Sequence, residues 1–299
     1  MTANNGAVAD LSMRGRVCMV TGATSGIGRI TALELAAKGA TVVLVGRNEA
    51  KLTACLADIN RLTGNDKLDY IKADLSSFQS VRGLARTFLS RYNKLHVLVN
   101  NAGAIFLRRD HSNEGLEMTW ALNHFGYFWL TGMLLDCLKA SAPSRIINVS
   151  SDAHKRSHLS DFPDVRNPGK GFQVYADTKL ANILFTYQLA YINKSTGVTV
   201  NACHPGIVAT AFGANNGLVG KMIQVFSRVF GVTAEQGART LIYLATAPEV
   251  YKVTGKYFVK EKEVQSAKST YDARLMTRLW QFSLDISQRL GMDTRPLER

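Results

Sequence analysis

Hydrophobic positions along this chain fall into two alternating kinds of run. Short apolar or β-branched stretches at 17–20, 41–45, 68–73, 95–99, 145–149, 198–202 and 256–259 read as strands buried on both faces. Between them lie longer segments with apolar residues at helical spacing, at 27–37, 49–62, 78–92, 114–138, 174–193 and 234–246. In the third of these, Val81, Leu84, Ala85, Phe88 and Leu89 share one face. Such alternation predicts an α/β fold, a doubly wound parallel sheet with helices on both faces and right-handed crossovers. One domain is expected over 1–299, with its core over about 14–260. A glycine- and apolar-rich flap is expected over about 211–232. A helical extension over about 266–299 reads as a surface addition.

The first strand runs into Thr21-Gly22-Ala23-Thr24-Ser25-Gly26-Ile27-Gly28. A glycine-rich turn between strand and helix leaves backbone N–H groups at the helix's positive end, a seat for a pyrophosphate. Gly22 allows the tight turn, Gly26 a close approach of ligand to backbone, and Gly28 the packing of helix on sheet.

Charge and composition narrow the partners. The 36 Lys and Arg residues exceed the 23 Asp and Glu, for a formal charge of +13. That excess suits an anionic ligand such as a phosphorylated cofactor or an acidic lipid surface. The basic residues are scattered, without an arginine-rich run, so nucleic acid is not expected as a partner. Cys18, Cys55, Cys137 and Cys203 form no CxxC pair and predict a reduced, intracellular protein. The first ten residues are polar and no segment offers about 18 uninterrupted apolar residues, so neither a signal peptide nor a membrane span is expected.

In sheets of this kind ligands bind beyond the C-terminal ends of the strands. There the sequence gathers the glycine turn, Arg47, Asp74, Asn101, Ser151 and Pro205-Gly206. The helix after the fifth strand adds Tyr175 and Lys179, four apart and so on one face. A phenol titrates near pH 10 and exchanges protons poorly at neutrality. A nearby ammonium stabilises the phenolate and makes tyrosine a usable general acid or base.

Together with Asn100-Asn101-Ala102-Gly103, Asn123, Tyr175-Ala176-Asp177-Thr178-Lys179 and Pro205-Gly206, the glycine turn resembles the short-chain dehydrogenase/reductase family. The motifs keep the family's order over roughly 14–260, and they imply a Rossmann-type fold. The resemblance implies that Tyr175 passes a proton to or from the substrate oxygen. Lys179 would lower the tyrosine's pKa and hold the nicotinamide ribose. Ser151 would orient the substrate carbonyl, with Ser150 facing the other way, and Asn123 would hold a water in the proton relay. Asp74 and Asn101 fall where the family touches the adenine and its ribose, and Thr210 where a threonine meets the carboxamide. Gly22, Thr24, Ser25, Gly26, Ile27, Gly28, Tyr175, Lys179 and Pro205 complete the implied cofactor contacts.

The end of the second strand bears on which cofactor binds. A site for NAD usually carries Asp or Glu there, on the ribose 2′-hydroxyl. Here Gly46 is followed by Arg47, which can pair with a 2′-phosphate, so NADP(H) is expected. The run YADTKLANILF over 175–185, His204-Pro205-Gly206, and 253–259 resemble the retinol dehydrogenase and related carbonyl reductase branch. That resemblance implies a lipophilic carbonyl or alcohol substrate, such as a retinoid or another aldehyde or ketone, and the apolar residues of the flap suit one. The apolar N-terminal anchor of animal members is not expected here, where the first ten residues are polar. A cytoplasmic location is expected, at most peripheral to a membrane. Many relatives assemble through the helices after strands four and five, so a homo-oligomer is an expectation by analogy.

His154 and His158, four apart, could suggest a metal pair, but Lys155 and Arg156 between them would repel a cation. No metal is expected. Two other readings are a light-dependent protochlorophyllide reductase-like enzyme, of whose pattern less is present, and a non-catalytic NADPH sensor, against which the intact tetrad argues.

Overall fold

A computed structural model describes residues 12–159, 169, 171–206 and 232–298. Eight strands form one sheet in the order β3-β2-β1-β4-β5-β6-β7-β8. They are β1 (Val17–Thr21), β2 (Thr41–Gly46), β3 (Leu68–Lys72), β4 (Val97–Asn100), β5 (Ser144–Val149), β6 (Val198–His204), β7 (Lys256–Val259) and β8 (Lys262–Glu263). The first seven run parallel and β8 returns antiparallel on β7. The order reverses between β1 and β4, which opens a crevice at their C-terminal ends.

Alternate strand residues serve two cores. Met19, Val43, Leu98, Ile146 and Val200 face α3 (Phe78–Arg91), α4 (Gly126–Ala140) and α5 (Gly171–Ile192). Cys18, Val20, Val42, Leu44, Val97 and Val99 face α1 (Gly26–Ala37), α2 (Glu49–Thr63) and α6 (Ala234–Thr246). This is the doubly wound fold that the alternation of runs predicts. All four cysteines are free thiols, and burial pushes Cys18 and Cys203 up to about 12, so both behave as small apolar side chains.

Three expectations need correction. The helix expected over 114–138 starts only at Met118, because the Glu117 carboxylate accepts from the N–H groups of Thr119 and Trp120 and fixes the start there. It then passes through a π-turn, Ala121–Phe125, in which the N–H of Gly126 reaches back five residues to the Ala121 carbonyl. Strand β8 was not expected. It spans two polar residues and follows a turn in which Lys260 and Glu261 hold positive φ, where glycine or asparagine is the usual signal.

The third correction concerns the extension. Its helix α7 (Ala273–Arg289) is no mere surface addition. Trp280 stacks on Phe185 of α5 and meets Phe128 of α4 edge-on. Ser283 and Ser287 are fully buried, hydrogen-bonded to His124 Nε2 and to the indole N–H of Trp129. Met292 and Leu297, the latter on α8 (Arg295–Glu298), lie against Gly132 of α4. The chain's own α7 and α8 thus cover faces of α4 and α5. The flap expected over 211–232 lies outside the described residues except for Val232, as does Thr210. Among the described residues no helix is long and apolar enough to cross a membrane.

Candidate active site

The glycine turn closes on β4. Gly22 and Gly26 hold φ of +67° and +53°, and a Cβ on Gly28 would stand 2.3 Å from the Gly22 carbonyl oxygen. The side-chain amide of Asn101 donates to the Thr21 carbonyl at 2.8 Å and, more weakly, to that of Gly22 at 3.4 Å. Thr21 Oγ1 in turn accepts from the N–H of Asn101. Asn101 is therefore what fastens the turn to the sheet. Thr24 packs its methyl against Gly46, and Ile27 is half-buried at the start of α1. Ser25 occupies the N-cap of α1 without a side-chain cap bond, and the first turn has no acidic residue. The helix's first N–H groups and their positive end keep their capacity for an anion. The residues present fit a dinucleotide's phosphates.

Beside the turn, Arg47, Asn48, Lys72, Ala73, Asp74 and Ser80 line an open pocket of about 560 Å³. Arg47 is exposed and forms no ion pair among the described residues, whereas Lys72 is paired with Glu49 at 3.4 Å. Asn48 is spent on capping α2. Asp74 uses Oδ1 to accept from the backbone and hydroxyl of Ser76.

Past the switch point the rim becomes buried. Ser151 ends β5 and caps a short 3₁₀ turn, Asp152–Arg156, with Oγ accepting from the N–H of Ala153. Its hydroxyl lies near enough to the phenol of Tyr175 to lower that group's pKa. Ser150 does face away, donating to the Lys179 carbonyl at 2.7 Å and so fastening β5 to α5. One turn beyond Tyr175, Lys179 is 3% exposed and its ammonium donates to the Val149 carbonyl at 3.0 Å. That ammonium lies 5.6 Å from the ring centroid of Tyr175 and 5.8 Å from that of Tyr127, between two aromatic faces. A Cβ on Gly103 would stand 3.2 Å from Asn123 Oδ1 and 3.4 Å from Lys179 Nζ, so the bare glycine lets these residues converge.

Asn123 sits in the π-turn. Its amide is fully used: Oδ1 accepts from the N–H of Ala104, and Nδ2 donates to the Ala104 carbonyl and to Thr178 Oγ1. Tyr127 is the residue that sequence reasoning missed, and it gave Gly103 and Thr178 no role beyond their motifs. Tyr127 was invisible because the π-turn shifts the register of the face that Asn123 occupies.

The electrostatics differ from the simple expectation of a tyrosine lowered by its lysine. Burial pushes Tyr175 up to about 12, and the Ser151 hydroxyl draws it partly back. Burial likewise brings Lys179 down to about 7. Desolvation is the largest cause of both shifts. The histidines are structural. His96 accepts from the N–H of Val17, and burial lowers His124 to about 3 and His204 to about 4. His154 is fully buried and His158 exposed, so the two do not face a common site.

Known proteins agree with this geometry. The family model for short chain dehydrogenases matches residues 16–218. Human retinol dehydrogenase 13 is 38% identical over 274 residues, which cover 89% of this chain and 82% of the relative. Human retinol dehydrogenase 12 is 36% identical over 93% of this chain and 88% of its own length. Among solved structures, an uncharacterized protein from Mycobacterium paratuberculosis superposes with a TM-score of 0.73 at 26% identity, over 92% of this chain and 94% of that one. A short chain dehydrogenase from Burkholderia cenocepacia, solved in complex with NADP, reaches 0.66 at 25% identity over 83% and 96%. The motifs on the sheet rim and the sequence match across two thirds of the chain lead to one assignment: this chain belongs to the short chain dehydrogenase family, as an oxidoreductase that interconverts alcohols and carbonyls.

Proposed function

We propose that the chain is an NADP(H)-dependent reductase or dehydrogenase of a lipophilic carbonyl or alcohol, with Asn123, Ser151, Tyr175 and Lys179 as its catalytic residues. The observation that carries this reading is the buried phenol of Tyr175 with the Lys179 ammonium set 5.6 Å from its ring centroid and the Ser151 hydroxyl acting on it. A bound nicotinamide cofactor would supply or accept the hydride at the substrate carbon. Tyr175 gives its proton to the carbonyl oxygen in reduction and takes it back in oxidation. Ser151 donates its one hydroxyl proton in a hydrogen bond to the same oxygen. Lys179 stabilises the phenolate left behind and offers donors to a ribose. Asn123, whose side chain is committed to Ala104 and Thr178, acts through its main chain in the π-turn.

At the other end, Gly22, Thr24, Ser25, Gly26, Ile27 and Gly28 would seat the pyrophosphate. Arg47 would meet a 2′-phosphate, Asp74 and Asn101 would border the adenosine, and Pro205 and Thr210 the nicotinamide. The NADP-bound relative and the absence of a carboxylate at residues 46–48 support the phosphorylated cofactor. A lipophilic substrate is supported by the names of the retinol dehydrogenases and by Phe172, a half-exposed aromatic 6.2 Å from the ring of Tyr175. The test is NADPH oxidation against retinal, aliphatic aldehydes, steroids and quinones. Wild type should reduce at least one, and Tyr175→Phe should lose about 10²–10⁴-fold in kcat. Full turnover by that variant would refute the assignment.

A further inference from the structure

His154 is absorbed by none of the roles above, yet it is among the most constrained side chains in the site's surroundings. It is fully buried in the 3₁₀ turn that follows Ser151, with the ring of Tyr257 edge-on at 5.1 Å. Both ring nitrogens are engaged. Nε2 accepts from the backbone N–H of Ala267 at 3.0 Å, so the single proton of the neutral ring sits on Nδ1. Nδ1 then donates to the carbonyl of Ser151 at 2.6 Å. Burial lowers the ring's pKa below its ordinary value, so this tautomer persists through neutral pH.

We propose that His154 is a positioning residue, a two-ended tie that fixes Ser151 against the segment following the last strand. The inference rests on the reading of Ser151 given above. Its outer end is itself held firmly. Ser266 Oγ bonds both Tyr187 on α5 and Thr270, and Tyr187 stacks on Tyr271. Ala267 therefore hands a rigid reference point to the imidazole, and the imidazole hands it to the serine. The inner end matters because Ser151 must present its hydroxyl to Tyr175 and to the substrate oxygen together. Its neighbours on either side are anchored separately, Ser150 to Lys179 and the N–H of Asp152 to His204. The Ser151 carbonyl accepts twice from His154, from its backbone N–H at 3.1 Å and from Nδ1 at 2.6 Å, and only the second bond reaches on to Ala267. A group can drift when one of its supporting bonds is removed, and a displacement of about 1 Å can cost on the order of 10²-fold in rate.

Asparagine and glutamine separate the two ends. Asn places its amide where Nδ1 stands, and Gln reaches the position of Nε2. His154→Asn keeps a donor for Ser151 and loses the acceptor for Ala267. His154→Gln does the reverse, and His154→Ala loses both. The Ala and Gln variants should lower kcat about 10- to 100-fold, with KM and NADPH affinity within about twofold of wild type, while Asn recovers most of the rate. Amide hydrogen exchange reads the outer end without any substrate. The Ala267 amide should lose protection in the Ala and Asn variants and keep it in Gln. Unchanged kcat in both Ala and Gln, or NADPH affinity falling in step with kcat in every variant, would overturn the proposal. So would an Ala267 amide that exchanges alike in wild type and His154→Ala. If wild type turned over nothing on the carbonyl panel, the catalytic reading would fail on its own, and the exchange measurement would still decide whether the tie exists.

Discussion

At the ends of β2 and β3 the charged side chains stand in water, whereas beside the end of β5 the Lys179 ammonium is buried on the Val149 carbonyl. Arg47 is exposed beside an open pocket, and its neighbours Lys72 and Glu49 neutralise one another there. Lys179 and Tyr175 lie in the interior, and burial shifts both far from their ordinary values. The two regions suit different tasks. A surface cation recognises a phosphate through attraction that water and salt weaken but do not abolish. A proton-transferring pair gains from exclusion of water, which strengthens every local interaction and destabilises the charged forms.

The comparison breaks most sharply at Lys179. Lys179→Met should reduce kcat by about 10²-fold or more, since its ammonium stands beside the Tyr175 ring where a phenolate would need stabilising. It should also make the protein more stable in acid. The folded pKa near 7 lies below the ordinary 10.5, so the unfolded chain binds more protons between these values. Wild-type stability therefore rises with pH across that window, while below about pH 7 the folded state carries the full burial penalty. Thermal midpoints should place the Met variant above wild type by several degrees at pH 6, with the gap closing toward pH 10. A Met variant that melts lower at pH 6 would mean that the aromatic faces and the Val149 carbonyl over-compensate for burial.

Next in size is Arg47→Ala. Losing a charge-assisted pair should raise KM for NADPH about 10- to 100-fold and leave KM for NADH and kcat nearly unchanged. Equal effects on both cofactors would remove Arg47 from the choice between them. A smaller effect belongs to salt. Between 0.05 and 0.5 M, KM for NADPH should rise several-fold while kcat stays flat, because only the exposed region is screened. The smallest concerns Lys72→Ala, expected to change KM for NADPH less than about twofold, since that lysine is already paired with Glu49 at the surface.

Most of this was legible in the chain, for identifiable reasons. Strands buried on both faces read as unbroken apolar runs, so β1, β2, β5 and β7 appear within a residue or two of where they stand. The glycines of the first turn, Ser151, Tyr175 and Lys179 converge as strand-end logic and family motifs imply. What escaped notice was whatever breaks a period. The π-turn inserts a residue that a 3.6-residue period cannot register, and so Tyr127 went unnoticed beside Lys179. Ser283 and Ser287 look like solvent-facing residues but are buried, because His124 and Trp129 offer them partners from a helical segment over 150 residues earlier. His154 read as half of a failed metal pair, since its partners are a backbone carbonyl and a backbone N–H that sequence does not label.

Those two buried serines also bear on the order in which the molecule is assembled. Helix α7 leaves the ribosome well after α4 and α5, yet Trp280, Ser283 and Ser287 close over rings on those earlier helices. Until α7 arrives, Phe128, Trp129 and Phe185 share an unsealed aromatic surface on an otherwise complete sheet. Synthesis at about 5–20 residues per second leaves that surface open for several seconds after α5 has formed. During this interval the nascent chain is most exposed to aggregation and to chaperones, and substitutions in α7 should lower its yield before they alter its catalysis.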